Sequence, residues 1–107
     1  MKKTLLYLFF LLTFFNFYAQ VSPIVHCDGN TLFDLTIREP EIIGDLNPAE
    51  TTISYHLSNY DASRGAYAIP IPTSFESTGS STSVYARINN KGNVTVKSFL
   101  LNVSRSP

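Results

Sequence analysis

The 107-residue chain has one cysteine, no tryptophan, one methionine and two histidines. A single cysteine, Cys27, rules out any disulfide closed within the chain. With His26 and His56 it supplies at most three nitrogen or sulfur ligands, in none of the short paired spacings that structural zinc requires. Lysine and arginine together number eight, balanced by eight acids, with no basic run, so the electrostatic footprint of a nucleic-acid or anionic-membrane binder is missing. There is no Gly-x-Ser-x-Gly element and no glycine-rich phosphate loop, which removes the common hydrolase and nucleotide-binding signatures. No segment of helical length carries an apolar stripe, and the one long hydrophobic run, Leu5 to Phe15, is too short to span a bilayer.

That run has another reading. Lys2 and Lys3 precede it, and it turns polar at Asn16 before Ala19-Gln20, the layout of an export signal. Residues 1–19 are therefore expected to be a signal peptide cleaved at Ala19 or Gln20, although Phe17 is large for the −3 position. The remaining residues, 20–107, form a single module with six Lys plus Arg against eight Asp plus Glu, a formal charge of −2. A domain of some 88 residues buries only about 60% of the surface its unfolded chain exposes, so its stability is small.

Period-two alternation dominates this module. In Thr31 to Ile37, Phe33, Leu35 and Ile37 share one face. In Thr51 to Leu57, Ile53, Tyr55 and Leu57 oppose Thr52, Ser54 and His56. Ser83 to Asn89 places Val84, Ala86 and Ile88 against Tyr85 and Arg87. The last strand starts with Val94 and Val96 on one face and then changes phase to Phe99, Leu101 and Val103, which predicts a bulge near Lys97-Ser98. Asn89-Asn90-Lys91-Gly92-Asn93 is a hairpin signal. Asp28-Gly29-Asn30 is a turn after a short first strand, Ile24 to Cys27. Glu39 to Pro48 has room for one helical turn, as has Asn59 to Ser63; Ala66 to Ile69 reads as a short strand and Ser74 to Ser83 as an exposed loop. Six or seven short strands, with no helix long enough to cover a single sheet, predict an all-β sandwich of the immunoglobulin or fibronectin III kind.

The ordered set Cys27-Asp28, Gly29, Phe33-Asp34-Leu35-Thr36, Ile42-Ile43-Gly44, Ile53-Ser54-Tyr55-His56, Asp61-Ala62, Ile69, Pro72 and Val84-Tyr85-Ala86-Arg87-Ile88 resembles a known module. It is similar to a tandem β-sandwich repeat of large exported adhesion and gliding-associated surface proteins of flavobacteria and their relatives, secreted by the type IX route. The resemblance implies a second cysteine near Asn93, paired with the first in a clamp between the first and last strands. Here position 93 is asparagine, so Cys27 is unpaired and the chain forgoes the roughly 4 kcal/mol that closing such a loop gives on the chain-entropy model.

Catalytic readings are weak on the residues themselves. Adjacent residues in a strand point to opposite faces, so His26 does not serve the Cys27 sulfur, and a Cys27–His56 pair has no support from spacing. Cys27 is expected to be a buried or half-exposed thiol. Glu39 and Glu41 flank Pro40 in a solvated connector and read as surface charges. Asp28, Asn30, Asp34 and Asp45 offer oxygens for calcium, but without EF-hand spacing, and Asp28 and Asn30 suit turn bonding to the backbone. No catalytic, cofactor or metal site is expected. The surface contact singled out is Tyr85 with Arg87, while Tyr55 and Tyr67 are assigned to the core and Tyr60 to capping a loop.

The expectation is a non-enzymatic, exported structural or adhesive module of a bacterial cell-surface protein, one repeat of a longer adhesin. Its partners would be neighbouring repeat domains, surface polysaccharide or a protein ligand, with no nucleic acid and no membrane in the mature form. The alternative is a stand-alone periplasmic or secreted domain that binds carbohydrate or protein.

Overall fold

A computed structural model describes residues 21–104 of the chain. The expected signal peptide and Arg105-Ser106-Pro107 lie outside the described residues. Six strands form two sheets: β1 (Ile24–His26), β2 (Leu32–Phe33), β3 (Thr51–His56), β4 (Phe75–Glu76), β5 (Ser81–Asn90) and β6 (Asn93–Val103). The larger sheet has the order β1-β6-β5-β3, and the smaller pairs β2 with β4. Two short helices, α1 (Glu39–Ile43) and α2 (Asn59–Arg64), and 3-10 turns at Leu35–Arg38, Pro48–Glu50 and Pro72–Ser74 connect them. This is the sandwich-like all-β class that the alternation predicts. Its second layer has only two-residue strands, completed by helical turns. Among the described residues no helix is long and apolar enough to cross a membrane.

The sheet is assembled by its longest hairpin. β5 and β6 pair without interruption from Ser81–Asn102 to Asn90–Asn93. The two-residue connection has positive φ at both Lys91 (53°) and Gly92 (92°), the primed turn that matches strand twist, and the Asn89 side chain accepts from the Gly92 N–H. β3 adds antiparallel to β5, and β1 adds parallel to β6, with Ile24 opposite Leu101 and His26 opposite Val103.

Register then decides the two faces. Ile53 and Ile88, Tyr55 and Ala86, Val84 and Phe99, and Ile24 and Leu101 lie in facing pairs on the inner side. With Val21, from the segment before β1, and Phe33, Leu35 and Ile42 from the opposite layer they make the core, and Tyr55 meets Phe99 edge to face at 6.5 Å. Lys97 is also on the inner side; its Nζ donates to the Ile42 carbonyl, so an amine at the core's rim holds the C-terminal end of α1. Arg38 reaches from the same layer to the carbonyls of Ser22 and Pro23 and fixes the entry to β1.

Several expectations are corrected. No bulge interrupts β6: Val94 and Val96 are outer-face residues in the same register as Ser98 and Leu100, and Val94 is exposed. Near the hairpin the inner positions are Thr95 and Lys97, and of the outer valines Val94 is exposed while Val96 is half-buried. Thr31 to Ile37 is not one strand. After Phe33 the Asp34 carboxylate accepts from the Thr36 N–H and the chain turns into a 3-10 helix, which leaves Leu35 buried and Ile37 exposed. A side chain that bonds its own backbone competes with the ladder. Ala66 to Ile69 is not a strand, because Tyr67 takes a φ of 53°; the segment meets β3 through the Ile69 N–H, which donates to the Tyr55 carbonyl, and the Ala66 carbonyl, which accepts from the His56 ring. In the run Ser74 to Ser83, β4 and the start of β5 flank a shorter loop, in which Ser77 is buried.

Candidate functional site

Cys27 follows β1 directly and its thiol is free and exposed, contrary to the buried or half-exposed placement expected from sequence. The reason lies in its neighbours. His26 turns inward and stacks flat on Phe33, with centroids 4.1 Å apart, and its Nδ1–H donates to the Asn30 carbonyl. Asp28 accepts from the Asn30 N–H, and Asn30 from the Leu32 N–H. The turn thus uses every polar side chain around the cysteine for its own geometry. It also leans on the end of β6: Gly29 N–H donates to the Ser104 carbonyl and Ser104 N–H to the His26 carbonyl.

Among the described residues the second histidine is not brought to the sulfur. His56 lies on β3, three strand spacings or about 14 Å across the sheet. It is fully buried, with Nδ1–H donating to the Ala66 carbonyl at 2.8 Å and Nε2 accepting from the Ser54 hydroxyl at 2.8 Å. The predicted wet side of β3 is therefore covered. The cover is α2, which packs on the outer face of β3, β5 and β6 and buries Ala62.

The same helix lies over the face that carries Tyr85 and Arg87. Both lie on the outer face but are only half-exposed. Arg87 Nη1 donates to the carbonyls of Ala62 and Ser63, each at 2.9 Å. It closes the C-terminal end of α2, a favourable place for a cation. Gly65 ends that helix in the left-handed conformation, φ 71°, and a Cβ there would stand 3.2 Å from the Arg87 guanidinium carbon. The exposed aromatics are instead Tyr60 and Tyr67, with the Arg64 guanidinium 4.4 Å over the Tyr60 ring. Tyr55 is buried as expected, and Tyr67 is not.

The carboxylates are structural too. Glu39 accepts from the Tyr55 hydroxyl at 3.1 Å, and burial together with that carboxylate pushes the phenol's pKa well above its usual value. Glu41 accepts from the Ser22 N–H, which holds its carboxyl below the usual range. The two glutamates thus tie α1 to β3 and to the segment before β1. Among the described residues no group of three His, Cys, Asp or Glu side chains is placed to hold a metal ion.

The disulfide implied by the resemblance has a definite geometric answer. Cys27 is one residue beyond the partner of Val103, whereas position 93 is ten residues back along β6, about 33 Å at the rise of a strand. A disulfide needs Cα atoms within about 7 Å. The first and last strands are neighbours, but Cys27 and position 93 occupy opposite ends of them. An intradomain clasp between them is excluded, and the thiol faces outward from the end where β6 also finishes.

A family model described as the Flavobacterium inter-domain disulphide bond domain matches residues 23–107. No curated protein and no solved structure matches the chain.

Proposed function

Because the chain belongs to the Flavobacterium inter-domain disulphide bond domain family, we propose that it is a non-enzymatic structural module whose Cys27 forms a disulfide with a cysteine of a neighbouring domain. The observation that carries this reading is the exposed thiol of Cys27, at the end of a strand, in a chain with no second cysteine. Joining two thiols removes two protons and two electrons, which a thiol oxidase or disulfide carrier of an oxidising compartment accepts. The setting proposed is the bacterial exterior, within a repeat of a type IX-secreted adhesion or gliding-associated protein. The export-signal layout of residues 1–19 supports it.

The test is to trap exported protein from the source bacterium with N-ethylmaleimide, without reductant, and map its peptides. A Cys27 peptide linked to a cysteine from outside residues 23–107 is expected. Cys27 recovered quantitatively as the maleimide adduct would overturn the proposal.

A further inference from the structure

The end of the molecule that carries Cys27 also holds a crevice. It measures about 380 Å³ and is lined by Thr31, the loop Ser77-Thr78-Gly79-Ser80, and Val103. Its position is fixed by main-chain bonds: Ser77 N–H donates to the Thr31 carbonyl, and Val103 N–H to the Ser80 carbonyl. Ser77 is 95% buried (5% exposed), yet its Oγ has no hydrogen-bond partner among the described residues. Nearly all buried polar atoms in folded proteins are paired, and leaving one unpaired costs about 1–3 kcal/mol. A hydroxyl kept at that cost beside a cavity points to a partner that arrives from outside.

The lining narrows the chemistry. Among the described residues it contains no charged residue and no aromatic ring, and the serine and Thr78 hydroxyls can both donate and accept. A peptide or carboxamide group, a donor and an acceptor side by side, matches that inventory. A sugar ring would lack a stacking surface. An anion would face the Glu76 carboxylate, which accepts from the Thr31 hydroxyl at 2.7 Å. His26 pairs with Val103, so Cys27 is one residue past the wall of the crevice.

We propose that this crevice receives an uncharged amide of the neighbouring domain, a main-chain peptide or an Asn or Gln side chain, beside the Cys27 cross-link. The proposal rests on the reading of Cys27 as the inter-domain anchor, and the experiment separates the two. Protein lacking residues 1–19 is equilibrated with mixed disulfides of 2-mercaptoethanol with Cys-Asn-Ala amide, Cys-Asp-Ala amide or 1-thioglucose. In each exchange the Cys27 thiolate attacks one sulfur, a new S–S bond forms and a thiolate leaves, so no oxidant is consumed. The three residues of the peptide span roughly 10 Å, enough to pass from Cys27 to the crevice.

The expected order of retention, read as the 2-mercaptoethanol concentration that releases half the adduct, places the Asn peptide first. Ser77→Ala should weaken its retention about two- to tenfold, the worth of one hydrogen bond. The same substitution should leave the unfolding midpoint of the free protein unchanged or raised, because it deletes an unpaired group. Equal retention of all three adducts, or lowered stability with unchanged retention, would refute the crevice while Cys27 stands as the anchor. Absence of any adduct would refute the anchor. The crevice is then judged by titrating N-acetylasparagine N-methylamide into isotope-labelled protein: amide shifts at Ser77 to Ser80 and Val103 support it, and none overturns it.

Discussion

Arg87 shows how a residue can be placed on the right face while what covers that face stays unread. Alternation along β5 puts it opposite Val84, Ala86 and Ile88, as the structure has it, but alternation says nothing about what lies above that face. The helical turn Asn59 to Arg64 is legible from its sequence; its landing place on the sheet is not, because that depends on a connection whose end is set by Gly65 and Tyr67 at positive φ. Arg87→Ala removes two charge-assisted bonds from the end of α2. The expected loss is about 1–3 kcal/mol, discounted for partial exposure, or roughly 5–15 °C in Tm for a domain of this size. Arg87→Lys should recover less than half of it, since one ammonium does not reproduce the guanidinium's fork. Thermal unfolding of the two variants checks both statements.

At the scale of elements, the hairpin of β5 and β6 and most of β3 were legible because alternation, turn residues and length agree there. The 3-10 turn after Phe33 was not, since Leu35 and Ile37 continue the period while Asp34 bonds the backbone and breaks it. The phase change in β6 marks no bulge, because outer valines near the hairpin resemble inner ones in sequence. The run of β6 also settles where a cross-link can go. Asn93→Cys, which restores the cysteine implied by resemblance, is expected to leave both thiols free in the folded domain. Thiol titration under oxidising conditions should count two per chain in monomer; quantitative formation of a monomeric 27–93 disulfide would contradict the strand register.

The molecule as a whole is a small core between one good sheet and a thin second layer, and the two are joined by few polar bridges. Tyr55 to Glu39 is one of them, linking β3 to α1. Its titration has a clear sign. The folded phenol holds its proton above the ordinary value of 10.0. Below that pH both folded and unfolded chains are protonated and stability is insensitive to this group. Above it the unfolded chain loses the proton first, so fewer protons are bound unfolded than folded and stability falls as pH rises. Denaturant midpoints measured at pH 9 and pH 11 should therefore diverge more in the wild type than in Tyr55→Phe. That bridge could not be read from sequence: Tyr55 was legible as core, but Glu39 belongs to a connector whose folding back over the sheet is a tertiary event.

The parallel pairing of β1 with β6 has one more consequence. It ends Cys27 and Ser104 side by side, on neighbouring chains about 5 Å apart. Where the neighbour is a domain that continues from β6, it is attached twice at nearly one point, by a peptide bond and by sulfur. A single flexible tether acts as a universal joint, free to swing and to spin. Two tethers a strand apart act as a door hinge: bending about one axis survives while twisting is stopped, and a string of such joints would coil or straighten without losing its rotational phase.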